Sequence, residues 1–311
     1  LIALFLPLVV SYKILVFNPT YSESRVNFIT SIVNTLVEAG HEVHTLVMQV
    51  DARVKVKGNR AQKSIFVPSF KGNPYTDMAI KKSPFGIMEM RDAVYIQNMS
   101  TVNVLMCSDM IAGYDEWMEL KHEGGYDLGI SENFFAFSIM EVLRVRHSAL
   151  LLPGARSSAI ARTILNLPTL PSFVADPLFS YLSLSAPSYS YSQRAFSLAT
   201  ALATSQLIER SIDNEEALIR ARWPHLRPLR ETLARISIVL ENSHPLLTLP
   251  EYCTHQIVRI GGVTIDAPWP STVDNELISA LDGISTKVVL VHISSISSIN
   301  DIEPDVLTVM A

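Results

Sequence analysis

The stretch NPTYSESRVNF, residues 18–28, closes one apolar run and opens a helix-like one, with Arg25 at the mouth of the connecting loop. A guanidinium there can pair with an anion. It cannot act as a base, because it has no lone pair to offer and stays protonated with a pKa above about 12. The chain has 8 histidines, the usual candidates for proton transfer near neutral pH. His41 and His44 follow the helix-like run, and about 15 residues at 1.5 Å each sets them more than about 20 Å from Arg25. His122, His147, His225 and His255 have no carboxylate at a telling spacing, and His292 lies in the last apolar run. The only cysteines, Cys107 and Cys253, form neither a CxxC pair nor a metal-ligand spacing. They are expected as two buried thiols, with a single disulfide in an oxidising compartment as the alternative. No metal site is expected. GxGxxG, Walker and GxSxG motifs are all absent from the sequence.

The elements that must carry these residues follow from hydrophobic periodicity. KILVF (13–17) is a compact β-type run. From Val26 to Ala39, the apolar positions Val26, Ile29, Ile32, Val33, Leu36 and Val37 repeat with a helical period. Ser22 or Ser24 is placed to cap the start, and Gly40 stands where a helix C-cap belongs. EVHTLVMQV (42–50) resumes as a strand, so the opening is a βαβ unit, which implies a parallel sheet. Residues 51–84 are basic and irregular and are expected as an exposed strand pair or loop. Residues 85–120 read as largely helical, YDLGI (126–130) as a strand, 132–145 as a helix and SALLLPG (148–154) as a strand. Residues 166–190, rich in Pro, Ser and Tyr, read as a long surface loop of the kind that often holds ligand. Residues 191–235 are helical with a break at WPHLRP. RISIVLENSHPLL (235–247) and QIVRIGGV (256–263) supply the last strands of the unit.

With 311 residues, 48% hydrophobic and 18% charged, the chain has ample material for a large core. A mean hydropathy of +0.25 is high for a free soluble monomer and suggests a membrane-side setting or a partner surface. A net charge of −5 argues against a general nucleic-acid binder. The block at residues 1–10, ending Val9-Val10-Ser11, reads as the h-region and cleavage site of a secretory signal peptide, with a first buried strand as the alternative. It lacks an initiator Met and a basic n-region, so the expected start lies upstream. No run of 18 apolar residues suggests a transmembrane helix. NMS (98–100) makes Asn98 a candidate glycosylation acceptor, whereas proline disqualifies NPT at 18–20.

Four segments resemble, in order, the N-terminal half of UDP-glycosyltransferases, and specifically the animal, nematode-like UDP-glucuronosyltransferases. They are YKILVFNPTYSESRVNFITSIVNTLVEAGHEV, MCSDMIAGYDEWMELKHEGGYDLGISE, LPTLPSFV and ISIVLENSHPLLTLPEYCTHQIVRIGGVTID, spanning about residues 12–265. The last, with its NSHP…GG pattern, is the most specific. The resemblance implies an α/β, Rossmann-like N-terminal half of a two-domain GT-B fold. Residues 1–11 become a signal-peptide remnant, 12–265 an acceptor-binding domain, 266–285 a linker and 286–311 the first strand and loop of a truncated UDP-sugar-binding domain.

The family reaction is an inverting transfer of a hexosyl or glucuronosyl group from UDP-sugar to a small lipophilic acceptor, in the endoplasmic reticulum lumen. UDP-sugar is a co-substrate there, and no permanently bound cofactor is implied. A histidine after the first strand takes the acceptor proton, and a carboxylate orients it. The matching positions here are Arg25 and Glu132. The resemblance therefore implies that this chain alone lacks turnover. It leaves two settings for Arg25: an ion pair with Glu132 across two strand ends, or a side chain turned to water. Both positions fall at strand C-terminal edges, where open α/β sheets place ligands. His244, in NSHP, matches a family position and is read as structural. Ser294 and Ser295, with Ile293, stand where the family has a Phe-Gly-Ser turn against the donor phosphates; without the glycine a side chain crowds that approach. The family's H-x-G-x-x-S donor signature and membrane anchor have no match in these residues. Two functional classes follow: a glycosyltransferase, or a catalytically dead module that binds lipophiles or pairs with full-length relatives in a hetero-oligomer. Neither implies nucleic acid as a partner.

Overall fold

The computed structural model describes residues 11–20, 22–68, 91–154, 158–174, 189–248 and 253–265. These build one seven-stranded, all-parallel sheet in the order β3-β2-β1-β4-β5-β6-β7, flanked by helices. The strands are β1 (Lys13–Pro19), β2 (Glu42–Met48), β3 (Lys63–Val67), β4 (Tyr126–Ser131), β5 (Val145–Leu152), β6 (Ile238–Glu241) and β7 (Ile257–Arg259). The first six follow the strand order of Rossmann-type doubly wound sheets, which reverse direction between β1 and β4.

β1 lies in the middle of the sheet and is apolar on both sides, as a strand covered by helices must be. Its alternate residues feed two cores. Ile14 and Val16 pack with Phe28, Ile29, Ile32 and Val33 of α1 (Glu23–Glu38). Leu15 and Phe17 face the larger core, built with α2 (Arg91–Ala112), α3 (Tyr114–Met118), α4 (Phe135–Val142), α6 (Tyr191–Arg222) and α7 (Leu229–Leu233). Helix α5 (Ser158–Thr163) packs on α6. Trp117 and Trp223 pack edge-on or tilted against each other and Tyr114 in the larger core, and Trp117 Nε1 donates to the Met110 carbonyl at 2.7 Å.

The helix predicted after KILVF is present, with Ser22 as its N-cap residue. It ends in a Schellman turn: Gly40 has φ +89, its N–H donates to the Val37 carbonyl, and the His41 N–H donates to the Leu36 carbonyl. The left-handed φ is why glycine stands there.

Three expectations need correction. The helix read over 132–145 is confined to Phe135–Val142, because Ser131–Asn133 form a hydroxyl-stabilised turn and Val145 already belongs to β5. Within 51–68 the basic segment supplies one strand, β3, parallel to β2 and held at its start by Lys63 ion pairs to Glu119 and Glu123. Both cysteines are unpaired thiols, but only Cys107 is buried; Cys253 is exposed. Residues 1–10, 69–90, 175–188 and 266–311 lie outside the described residues. The signal-peptide, linker and donor-domain readings therefore fall outside them, as do Ser294 and Ser295. Asn98 lies on α2, with its side chain outside the described set. Among the described residues, no helix is long and apolar enough to cross a membrane.

Candidate functional site

β1 ends at Pro19, and α1 starts four residues later, so Arg25 sits on the first turn of that helix. β4 ends at Ser131, and α4 begins at Phe135, so Glu132 sits in the equivalent junction on the neighbouring strand. Ser131 Oγ accepts from the Asn133 N–H at 2.9 Å and fixes that junction, while Asn133 Nδ2 donates to Asn103 Oδ1 on α2 at 3.1 Å. The two junctions meet. Arg25 Nη1 donates to Glu132 Oε2 at 2.6 Å. The pair is unevenly buried, with the Glu132 side chain 4% exposed and that of Arg25 32%.

This ion pair forms the polar end of a cleft of about 480 Å³. Ser24, Asn242 and Thr264 add polar groups, and the walls are Phe28, Phe134, Leu151, Leu152, Pro153, Gly154 and Ile160. The cleft therefore lies along the C-terminal ends of β1, β4, β5 and β6, at the reversal in strand order. Open α/β sheets bind ligands there, and the volume is that of a site for a small molecule. Asn242 is braced by Nδ2 donating to the Pro153 carbonyl at 3.0 Å.

Two polar groups near this end were not singled out in the sequence. Asn18, the next-to-last residue of β1, has a fully buried side chain whose amide makes no hydrogen bond. Glu215 of α6 is fully buried and accepts from Ser211 Oγ at 3.0 Å, while its Oε2 makes no hydrogen bond. Burial pushes its pKa up to about 8, against a smaller lowering by the Ser211 hydroxyl and the nearby Phe135 amide. An acidic residue in the middle of a helix reads as a solvated position, so only the packing exposes either feature.

Among the described residues, no histidine lines the cleft. His44 is buried in β2 at the opposite end of the sheet, with Nδ1 3.0 Å from the Tyr126 hydroxyl and Nε2 3.1 Å from Glu42 Oε1. Burial lowers its pKa, with the nearby Lys13 charge adding to this. His244 is exposed in the turn after β6, where its Nδ1 accepts from the Leu246 N–H. Glu42, His44 and Glu123 bring three potential metal ligands within 4.8 Å. Ammonium groups already occupy that ground: Lys13 Nζ lies 2.9 Å from Glu42 and 3.3 Å from Glu123, and Lys63 Nζ lies 2.9 Å from Glu123. Hydrogen bonds from Lys63 and then Lys13 lower the Glu123 pKa to about 2. The cluster is an ion-pair network that ties the starts of β1, β2 and β3 together.

No family model matches the sequence, and no curated protein matches it. Solved structures do match. The glycosyltransferase SnogD from Streptomyces nogalater aligns at 14% identity and a TM-score of 0.41, covering 84% of this chain and 55% of its own. The calicheamicin glycosyltransferase CalG4 aligns at 13% identity and a TM-score of 0.42, covering 81% and 53%. The Streptomyces sp. SF2575 glycosyltransferase SsfS6, solved also with thymidine diphosphate, aligns at 11% identity and a TM-score of 0.40, covering 76% and 51%. The chain thus spans about half the length of the solved glycosyltransferases it matches.

Proposed function

We propose that the described unit is the acceptor-binding half of a protein of the UDP-glycosyltransferase type, and that its cleft holds a small lipophilic alcohol, phenol or acid. The observation that carries this reading is the cleft itself: largely apolar walls, an ion pair at one end, a few further polar groups, and a position over the C-terminal strand ends where β1 and β4 diverge. The ordered sequence resemblance to UDP-glucuronosyltransferases supports the choice of ligand class, and the Rossmann-like sheet is the scaffold that the resemblance implies.

In such a protein the acceptor hydroxyl loses a proton as it attacks the sugar. Glu132 is where a carboxylate partner belongs, but it is engaged by Arg25, and a guanidinium accepts no proton. The chain therefore binds an acceptor without activating it, as a lipophile-binding or partner module in the secretory pathway. UDP-sugar is the co-substrate of the type and is not consumed by this chain acting alone.

The reading is tested with N-phenyl-1-naphthylamine, a neutral lipophile whose fluorescence rises in apolar surroundings. Saturable one-to-one binding is expected, weakened at least about tenfold by Ile160→Trp, which fills the cleft wall. Equal binding by both proteins, or none by either, overturns it. Release of UDP from a UDP-sugar and a phenol would overturn the second half of the reading.

A further inference from the structure

A charge at one end of a largely apolar cleft sorts ligands by sign and fixes their orientation. Among the described residues, Arg25 and Glu132 are the charged groups that line the cleft, and burial treats them differently. The Glu132 side chain is 4% exposed, whereas 32% of the Arg25 side chain stays open. The charge that an incoming ligand meets is therefore the positive one, with the carboxylate withdrawn behind it.

The setting of Arg25 strengthens that sign. It stands on the first turn of the 16-residue α1, whose N-cap Ser22 makes no side-chain cap bond, so the positive end of the helix dipole faces the same space through Ser24 and Arg25. Glu23, the other acid on this turn, is exposed and does not line the cleft. The 2.6 Å contact with Glu132 also holds the guanidinium in place before any ligand arrives. A planar, weakly hydrated guanidinium matches a carboxylate with two parallel N–H donors. An anion about 4 Å from it would lie roughly twice as far from the Glu132 carboxylate, so the attraction is about twice the repulsion.

We propose that the cleft selects lipophilic carboxylic acids as their anions, the carboxylate seated on the open edge of the Arg25 guanidinium and the apolar body lying along Phe28, Phe134, Leu151 and Ile160. This rests on the lipophile-binding reading of the cleft and narrows its ligands from alcohols, phenols and acids to acids. Burial of the apolar body supplies affinity, and Arg25 supplies the choice among bodies of equal size. The residue that keeps this chain from activating a hydroxyl thus favours a ligand group with no proton to remove.

The test compares two ligands of one shape, 2-naphthoate and 2-naphthamide, by titration calorimetry at pH 7, where the first is an anion and the second neutral. The wild type is expected to bind the acid at least about tenfold more tightly than the amide. In Arg25→Met, which leaves Glu132 as the charge at that end, the preference should vanish or reverse. Arg25→Lys, which keeps the charge without the fork, should retain a preference of about threefold or more. Should Arg25→Met not fold, the wild type alone decides: raising salt from 0.1 M to 1 M should cut the acid preference several-fold, and the Arg25 side-chain N–H resonances should shift with the acid and not with the amide. Equal affinities in the wild type, an acid preference that survives Arg25→Met, or Arg25 resonances unmoved by the acid overturns the proposal. If N-phenyl-1-naphthylamine still binds in any of these cases, the lipophile reading of the cleft stands without it; if dye, acid and amide all fail to bind, both fall.

Discussion

Removing Arg25 should cost more than removing a surface charge, because its partner is the buried member of the pair. An exposed ion pair contributes about 0–1 kcal/mol, whereas stripping the counter-charge from a fully buried one costs about 3–5 kcal/mol. Glu132 is 4% exposed and Arg25 32%, which sets this pair between the two limits. Arg25→Met, which keeps the apolar stem, is therefore expected to destabilise the fold by about 2 kcal/mol. Glu132→Gln removes the charge and keeps the shape, and is expected to cost about 1 kcal/mol. The double variant should be less destabilised than the sum, by a coupling of about 1–2 kcal/mol. Urea unfolding of the four proteins at 0.1 M and 1 M salt measures the cycle, and a largely buried contact should keep most of its coupling at the higher salt. A coupling below about 0.3 kcal/mol would show that Arg25 points to water, and the polar end of the cleft would have to be redrawn.

Three further outcomes follow from the packing. Folded Glu215 keeps its proton to about pH 8, whereas a carboxyl in the unfolded chain releases it near about 4.3, so the unfolded state binds fewer protons between those values. The stabilisation is full below the lower value and is lost as pH rises to the upper, by on the order of 5 kcal/mol; urea midpoints of Glu215→Gln relative to wild type should show this slope disappearing. The Asn18 amide is buried without a hydrogen bond, so Asn18→Leu should raise stability by about 1 kcal/mol in thermal unfolding, and a fall would show the amide to be used. A Cβ on Gly261 would stand 2.6 Å from the Ser243 carbonyl oxygen, so Gly261→Ala should cost about 1–3 kcal/mol in the same measurement, against no change if that turn relaxes freely.

Much of the scaffold was legible because its signals are local. The period of α1, the glycine after it and the apolar runs of β1, β4 and β5 each announce themselves within a few residues. The start of α4 did not, because ENFFAF is apolar enough to read as helix from its first residue, while the Ser131 hydroxyl turn delays it. The Arg25–Glu132 pair is separated by 107 positions, and its distance cannot be read from composition or spacing. It came from the matching of two strand-end junctions to a known pattern, and the sheet register then brings them into contact. Glu215 and Asn18 were invisible for another reason: nothing in a sequence distinguishes a charged residue facing water from one facing a core 100 or more positions away.

The location of ligand tests the central claim most directly. Backbone amide shifts of the labelled protein, followed while N-phenyl-1-naphthylamine is added, should move at Ser24, Arg25, Phe134, Gly154 and Thr264, which surround the cleft, and stay fixed at Lys13, Glu42 and Glu123 at the far end of the sheet. Shifts gathered at the far end, or none at the five cleft residues under saturating dye, would contradict it.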